Sequence, residues 1–316
     1  MRIIGLDIGA SSIKAGIISE RTGIFSEVDN EETVSLETNE FSELKEKVIS
    51  VCQKKLLEGA DPFIGIATAG SVNNEEIVVS AGNFRNYCNI SWQDILSSEF
   101  GEVKVCTVND GRASAWGEYI VSSPKADTHV HTVVGTGIGG GVIHKGELLR
   151  GDSGQAGYIG HIKVTPEDTP ICSCGKMGCV ESLASARGML SIYNKHNNVQ
   201  FKSFEEMINN FEKNISGISE VLQNGGYWLG VALGNVMNVL NPQNITVGGG
   251  VILATNRCSD YFKLEKNPYI TGIKKGVNYA THRRVAATGS IICGVLENNA
   301  GMIGAANLVM KSAKVQ

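Results

Sequence analysis

Three cysteines and one histidine in a short segment constrain this chain most. Residues 160–181 read GHIKVTPEDTPICSCGKMGCVE, which places His161 and Cys172, Cys174 and Cys179 close together in sequence. One imidazole and three thiolates form a ligand set that is common at tetrahedral structural zinc sites. The segment ends in Glu181, at the start of a helix-like run. We therefore predict a loop pinned by Zn2+ that also holds His161 and Glu181 in place for another task.

The competing interpretation is that these cysteines are ordinary thiols or a redox pair. The chain has eight cysteines in all. Three of them crowd between glycines and a proline, a spacing that favours a metal site over a disulfide. The others are scattered through apolar or mixed segments and are interpreted as buried thiols: Cys52, Cys88, Cys106, Cys258 and Cys293.

Composition limits the class of protein. The 316 residues are enough for two domains of ordinary size. The net charge of -4 gives no electrostatic case for a nucleic-acid partner. There is no apolar run of membrane-spanning length and no secretory signal pattern, so we expect no membrane partner and a cytoplasmic location.

Strand and helix patterns alternate along the chain, which predicts an α/β protein of two similar domains. Residues 2–19 read as a β-hairpin around a turn at 7–12. Further strands are predicted at 63–70, 103–108, 129–134, 142–144 and 244–251. Helices are predicted at 41–58, 112–120, about 181–195, 203–213 and 216–240, and in the tail from Gly289 to Met310.

The run Gly135-Thr136-Gly137-Ile138-Gly139-Gly140 matches the G-x-G-x-x-G dinucleotide fingerprint. That fingerprint requires a helix after the glycines, because the helix N-terminus receives the pyrophosphate. Here Val142-Ile143-His144 continues as a strand, so the segment is interpreted as a hairpin. No Walker A pattern is present either.

Glycine turns can still bind phosphates through backbone N–H groups. Three such turns occur, at 7–12, 135–141 and 248–250. Each alone is most simply an ordinary tight turn, but three of them, with Asp7 in the first, favour a nucleotide site. Asp110 follows a strand and precedes a helix, which suits either a functional carboxylate or a helix N-cap.

The chain resembles the ROK family (repressors, open reading frames, kinases), and the resemblance covers nearly its whole length. The motifs that carry it are 7–11 (DIGAS), 108–118 (VNDGRASAWGE), 135–141, 160–161, 172–181 (CSCGKMGCVE), 247–250 (VGGG) and 300–306 (AGMIGAA). The zinc motif is the most specific of these, and the glycine motifs support it.

The resemblance implies two actin-like domains around a central cleft that binds ATP and a sugar. The expected N-terminal domain comprises 1–117 plus 290–316, and the C-terminal domain 118–289 with the zinc loop. ROK repressors carry an N-terminal helix-turn-helix domain, whereas this chain begins with the first phosphate hairpin. The sequence therefore predicts a kinase, and the family suggests a homodimer.

The resemblance also implies roles for individual residues. Asp110 would accept the proton of the sugar hydroxyl, and Asp7 would lie near Mg2+. The residues expected to bind the sugar are Asn83, Asn109, Asp110, Tyr158, His161 and Glu181. The residues expected to bind ATP are Asp7, Gly9, Ala10, Ser11, Ser12, Lys14, Gly135, Thr136, Gly137, Gly139, Gly249 and Gly250.

Tyr158 departs from the family pattern, which usually has a sugar-binding Glu three residues before the zinc histidine. A phenol can donate one hydrogen bond or stack on a sugar face. Phosphorylation of a hexose at O6, with glucose as substrate, is the first prediction. An N-acetylmannosamine kinase, a β-glucoside kinase and a non-catalytic sugar sensor remain alternatives.

Overall fold

A computed structural model describes residues 1–122, 125–165, 169–211, 217–261, 267–286 and 290–314. The strands are β1 Arg2–Ile8, β2 Ser12–Arg21, β3 Ile24–Ser35, β4 Phe63–Thr68, β5 Ser71–Val72, β6 Val78–Ser80, β7 Lys104–Asn109, β8 Thr128–Val134, β9 Ile138–His144, β10 Glu147–Leu148, β11 Asn244–Gly248 and β12 Ser290–Cys293. The helices are α1 Phe41–Leu57, α2 Trp92–Phe100, α3 Asp110–Val121, α4 Glu181–Ala184, α5 Ala186–His196, α6 Phe204–Asn209, α7 Ile218–Leu240, α8 Gly250–Tyr261, α9 Pro268–Ala280, α10 Arg283–Ala286 and α11 Ala300–Lys314.

The chain divides into two compact units. Unit 1 contains Met1–Lys125, Gly141–Gly157 and Asn298–Gln316, and unit 2 contains Ala126–Gly140 and Tyr158–Glu297. These units are groups of residues that contact one another more than they contact the rest of the chain. The predicted boundaries of the two actin-like domains therefore stay a prediction.

The first sheet has the strand order β3-β2-β1-β4-β7. The predicted hairpin is present, because β1 and β2 pair antiparallel from Arg2 opposite Ser19 to Ile8 opposite Ile13. β1, β4 and β7 are parallel, with Ile8 beside Thr68 and Thr68 beside Asn109. The carboxyl ends of these three strands therefore meet at one edge of the sheet, where parallel α/β sheets commonly bind ligands.

The second sheet repeats this arrangement, with the order β10-β9-β8-β11-β12. In both sheets the spatial order is third, second, first, fourth and fifth strand along the chain. β8, β11 and β12 are parallel, and β9 continues as a hairpin into β10. The repeat confirms the prediction of an α/β protein built from two similar halves.

The core of unit 1 is apolar on both faces of its central strands. Residues such as Ile4, Leu6 and Ile66 are fully buried, and Trp92 from α2 packs in the same cluster. On the other face α11 approaches the sheet backbone very closely. A Cβ on Gly65 would lie 2.2 Å from the carbonyl carbon of Ala305, so only glycine permits this contact.

In unit 2, α7 and α9 pack backbone against backbone through facing glycines. A Cβ on Gly230 would lie 2.2 Å from the carbonyl oxygen of Ile273, and one on Gly276 would lie 2.0 Å from that of Tyr227. Gly226 and Gly272 make equally close approaches. The sequence analysis predicted α7 but not this contact.

A buried polar cluster joins β8 to β11 in unit 2. His129 Nε2 lies 3.0 Å and His131 Nδ1 2.8 Å from the hydroxyl of Thr246. All three side chains are almost completely buried. Burial lowers the pKa of His129 to about 4, and burial together with the charge of His129 lowers that of His131 to about 3, so both rings are neutral near pH 7.

The predicted tail helix is partly wrong. Residues 290–293 form β12 beside β11, and the helix begins only at Ala300. Ser290-Ile-Ile-Cys293 is a short apolar run that parallel pairing suits better than a helix.

Gly289, 212–216 and 262–266 lie outside the described residues. In the part of the chain that the structure covers, no helix has the length and apolar character to cross a membrane.

Candidate active site and metal-binding cluster

Asp7 and Asp110 are neighbouring carboxylates in unit 1. Asp7 is the penultimate residue of β1, and Asp110 opens α3 directly after β7. The parallel register of β1, β4 and β7 brings both to the same edge of the sheet. The negative charge of Asp110 contributes to raising the pKa of Asp7, as expected for close like charges.

Hydrogen bonds fix the Asp110 side chain. Its Oδ1 accepts from the backbone N–H of Gly111 and from Nδ2 of Asn109, both at 2.8 Å. Burial raises the pKa of Asp110, and these bonds oppose part of that rise. The N-cap of α3 is Asn109, whose Oδ1 accepts from the N–H of Arg112 at 3.2 Å. The alternative interpretation of Asp110 as the helix cap is therefore wrong.

The carboxylate of Asp7 is enclosed by the start of α11. A Cβ on Gly301 would lie 2.6 Å from Asp7 Oδ2, so glycine leaves the space that this side chain occupies. Burial and the Asp110 charge raise the pKa of Asp7 to about 7, with Lys14 acting in the opposite direction. Such a carboxylate pair is suited to a nearby cation, which would relieve the repulsion.

The first glycine turn connects β1 to β2. It is closed by a hydrogen bond from the Gly9 N–H to the Ser12 carbonyl at 2.9 Å, and Ala10 and Ser11 lie exposed at its tip. Lys14 Nζ lies 3.1 Å from a Glu31 carboxylate oxygen. Lys14 thus has an acidic partner in this structure, and its predicted role toward ATP stays a prediction.

The two predicted asparagines differ in setting. Asn109 Nδ2 also donates to the carbonyl of Gly70 at 3.0 Å, so its amide supports the local backbone as well as Asp110. Asn83 is exposed in the turn that follows β6. Contact of either side chain with a sugar stays a prediction.

The predicted metal ligands converge in unit 2. The ligand atoms of His161, Cys172, Cys174 and Cys179 all lie within 4.8 Å of one another. The Cys174 and Cys179 sulfurs are 3.6 Å apart, and Cys172 Sγ is 3.5 Å from His161 Nδ1. Tetrahedral zinc bonds of about 2.0–2.3 Å require ligand separations of roughly 3.5–3.8 Å. These two separations match tetrahedral zinc, and Lys163 Nζ, 3.4 Å from Cys179 Sγ, adds a compensating positive charge.

The second and third glycine turns also lie in unit 2. Between β8 and β9, the Gly135 N–H donates to the Gly137 carbonyl at 2.9 Å, Thr136 is exposed, and Gly139 is the second residue of the following strand. This confirms a hairpin in place of the strand-to-helix turn that a dinucleotide fingerprint needs. At the end of β11, Gly249 has a φ of 96°, and α8 begins at Gly250.

Glu181 is 6% exposed and makes several contacts. Oε1 accepts from Ser173 Oγ at 2.5 Å, and Oε2 accepts from the Ile138 N–H at 2.9 Å. Arg187 Nη2 lies 3.4 Å from Oε1. Burial alone would raise the pKa of Glu181, but the bonds from Ser173 and Ile138 outweigh it and lower the pKa, which keeps the group ionised.

Tyr158 lies beside the cluster formed by His161 and the three cysteines. Its ring centroid is 5.7 Å from that of His161 at an interplanar angle of 33°, and the side chain is 42% exposed. Because Nδ1 of His161 faces Cys172, Nε2 is the nitrogen available to a ligand. An aromatic face and a ring nitrogen are thus presented side by side.

Comparisons with known proteins place the chain in a family. The model of the ROK family matches residues 3–312. The chain belongs to the ROK family. It is 28% identical to the glucokinase of Halalkalibacterium halodurans, over 97% of this chain and 94% of that protein. It is also 28% identical to the xylose repressor of Bacillus subtilis, over 97% of this chain and 76% of that protein.

A solved structure shares the fold of this ROK chain. The ROK family glucokinase from Streptomyces griseus, in complex with glucose and AMPPNP, superposes with a TM-score of 0.80 at 24% identity, covering 98% of this chain and 100% of that one. Together with the repeated strand order, this likeness confirms the predicted actin-like α/β fold.

The residues that sequence reasoning missed lie around those it found. Ser173, Arg187 and Gly301 contact Glu181 or Asp7. Ser173 lies between two predicted metal ligands, which was the one local signal for it.

Of the cysteines outside the predicted metal-ligand set, Cys52 and Cys106 are buried as predicted, whereas Cys88 and Cys293 are exposed. The side chain of Cys258 lies outside the described residues.

Proposed function

We propose that this ROK protein is an ATP-dependent kinase that phosphorylates a hexose at a primary hydroxyl. The observation that carries the proposal is Asp110, a fixed carboxylate at the ends of parallel strands beside a second carboxylate, in a chain that belongs to a family with sugar kinases. A glucokinase 28% identical over 97% of this chain supports it.

Asp110 is the proposed general base. It accepts the proton of the sugar hydroxyl as that oxygen attacks the γ-phosphorus, the bond from phosphorus to the bridging oxygen breaks, and ADP leaves with the electron pair. The elevated pKa of Asp110 makes the carboxylate a better proton acceptor than an ordinary aspartate. Its bonds to Gly111 and Asn109 end on Oδ1, which leaves Oδ2 as the oxygen assigned to the hydroxyl.

The glycine turns are the proposed phosphate-binding groups. The N–H groups of Gly9, Gly135 and Ile138 already donate within the fold. The other backbone N–H groups of the turns at 9–12 and 135–139 would donate to phosphate oxygens, and Gly249 and Gly250 would border the adenosine. Mg2+ accompanying ATP would lie near Asp7, through water, because magnesium retains much of its hydration shell. Its charge would also lower the pKa of Asp7.

We further propose that His161, Cys172, Cys174 and Cys179 bind structural Zn2+. The ion would supply no step of phosphoryl transfer and would fix the loop. His161 Nε2, Tyr158 and Glu181 are then assigned to sugar hydroxyls near C1 and C2. Asn109 and Asn83 complete the set. A cytoplasmic location and a homodimer remain part of the proposal.

The presence of Tyr158 in place of the usual carboxylate limits which sugars are expected to bind. A phenol in place of a carboxylate removes one strong acceptor for a free C1 or C2 hydroxyl. Glucose is the first candidate, and N-acetylmannosamine or a β-glucoside is favoured if the substituent packs on the exposed ring. A non-catalytic sugar sensor is the alternative from another class, since a xylose repressor is equally similar in sequence.

An ADP-release assay with MgATP and a sugar panel tests the proposal. The panel contains glucose, N-acetylglucosamine, N-acetylmannosamine, mannose, allose, fructose, cellobiose and an aryl β-glucoside. We expect turnover on one of these, with the phosphate on O6. Sugar binding by calorimetry without any ADP release would favour the sensor.

A further inference from the structure

Glu181 links two loops of unit 2 that are distant in sequence. Ser173, which donates to Oε1 at 2.5 Å, lies between Cys172 and Cys174 in the metal-binding loop. Ile138, which donates to Oε2 at 2.9 Å through its backbone, directly follows the glycine turn. One buried carboxylate therefore joins the metal-binding loop to the hairpin at 135–139.

We propose that Ser173 is a positioning residue, which holds Glu181 so that this carboxylate fixes the hairpin backbone at Gly137 and Ile138 for binding nucleotide phosphates. The nucleotide part rests on the proposed function, whereas the ordering of the hairpin does not. The state of the metal-binding loop then sets the affinity for ATP as well as that for the sugar.

The hairpin depends on an external anchor. Gly137 has no side chain, and Glu181 occupies the space where one would be, since a Cβ there would lie 2.6 Å from Oε2. Besides the bond from Gly135 to Gly137, the Gly135 carbonyl accepts from the Ala186 N–H at 2.9 Å. Glycine-rich turns lose much conformational freedom on ordering, so the bond from Ile138 to Glu181 contributes directly to a single hairpin conformation.

Ser173 is the donor best suited to hold Glu181. The guanidinium of Arg187, at 3.4 Å, is 57% exposed, so water screens its pairing with Oε1. Cys172 Sγ lies 3.5 Å from Oε1 but has no proton to donate once it is a metal-bound thiolate. Removing the Ser173 hydroxyl would thus leave a buried carboxylate short of a donor, which is costly.

Amide hydrogen exchange in the zinc-loaded, ligand-free protein tests the ordering step. The variants are Ser173→Ala, Ser173→Thr and Ser182→Ala. Ser182 is a matched control, because its hydroxyl donates to the Cys179 carbonyl at 2.9 Å, a bond to the same loop that bypasses Glu181. Loss of one hydrogen bond to a charged group predicts about tenfold faster exchange at Ile138 in Ser173→Ala. Ser173→Thr, which keeps the hydroxyl, and Ser182→Ala should exchange like the parent chain.

Calorimetry with Mg2+ and AMP-PNP tests the step to nucleotide binding. Ser173→Ala should retain its zinc by elemental analysis and bind AMP-PNP about tenfold more weakly, with Ser173→Thr restoring the affinity. Unchanged exchange at Ile138, loss of zinc from Ser173→Ala, or faster exchange with unchanged AMP-PNP affinity would each overturn the proposal. A parent chain that binds no AMP-PNP would instead overturn the proposed function, and the exchange rates would still decide whether Ser173 holds the hairpin.

Discussion

At the scale of single residues, local spacing predicted which histidine and cysteine side chains come together, but it did not predict the contacts that support Glu181 and Asp7. His161, Cys172, Cys174 and Cys179 could be named from the sequence because a metal site needs particular donor atoms on one short loop. Gly301 lies in the motif at 300–306, but its contact with Asp7 could not be predicted, because the two residues are at opposite ends of the chain. Only the folded structure shows which distant backbone a carboxylate faces.

Replacing Asp110 with Asn should abolish turnover and leave binding intact. Asparagine keeps the size of the side chain and an acceptor for the Gly111 N–H, but it cannot take a proton. We expect kcat to fall by about a thousandfold or more, with Kd for sugar and AMP-PNP within a few-fold of the parent. ADP release and calorimetry measure both, with the exposed Asp94→Asn as control. Normal kcat in Asp110→Asn would remove Asp110 from the mechanism.

Replacing Cys174 with Ser should release the metal. Cys174 is exposed, so the change costs little packing and chiefly removes a thiolate. We expect about one zinc per chain in the parent and a large loss in Cys174→Ser, together with weaker sugar binding. Elemental analysis after gel filtration measures the zinc content, with Cys88→Ser, also exposed, as the matched control. Zinc-free parent protein prepared without chelators would contradict the metal assignment.

At the scale of elements, both glycine hairpins and the central parallel strands followed the sequence, whereas β3 was not predicted, β12 was predicted as helix, and the helix contacts were missed. The periodicity predicted α1 and both glycine hairpins, since local alternation and turn residues determine them. The close approach of α7 and α9 depends on glycines about 46 residues apart along the chain, such as Gly226 and Gly272. The sequence analysis predicted only α7 of these two helices, and a single sequence cannot show which distant backbone its glycines face.

Replacing Gly276 with Ala should destabilise unit 2. The new Cβ would lie 2.0 Å from the Tyr227 carbonyl oxygen and 2.8 Å from the Val231 nitrogen, so the helices would have to separate. The overpacking cost of about 1–3 kcal/mol exceeds the gain of about 1 kcal/mol from alanine's helix propensity. Urea unfolding measures the loss, with Gly82→Ala as control, because a Cβ at Gly82 meets nothing within 4 Å. Equal midpoints for parent and Gly276→Ala would show that the contact is not tight.

At the scale of the whole molecule, two buried groups make the free energy of unfolding depend on pH in opposite directions. The folded-state pKa of His131 is lowered to about 3 from its ordinary value of 6.5, so the unfolded chain binds the extra proton and stability falls as pH falls below about 6.5. The pKa of Asp7 is raised to about 7 from 3.8, so its contribution is present at low pH and lost as pH rises toward 7. His129 adds to the first effect, and Asp110, with its raised pKa, adds to the second.

Removing one group from each pair separates these effects. Between pH 6.5 and 5.5, His131 should lower the free energy of unfolding of the parent by about 1 kcal/mol. In His131→Asn the amide can replace Nδ1 toward Thr246. This variant should therefore lose about 1 kcal/mol less than the parent over the same interval. Asp7→Asn should lose more than the parent over the same interval, because the carboxyl that gains stability on protonation is gone. Urea midpoints at both pH values measure the differences. Identical pH dependence in His131→Asn and the parent would mean that the buried ring does not titrate differently in the folded and unfolded states, and the neutral core assigned to His131 would then be wrong.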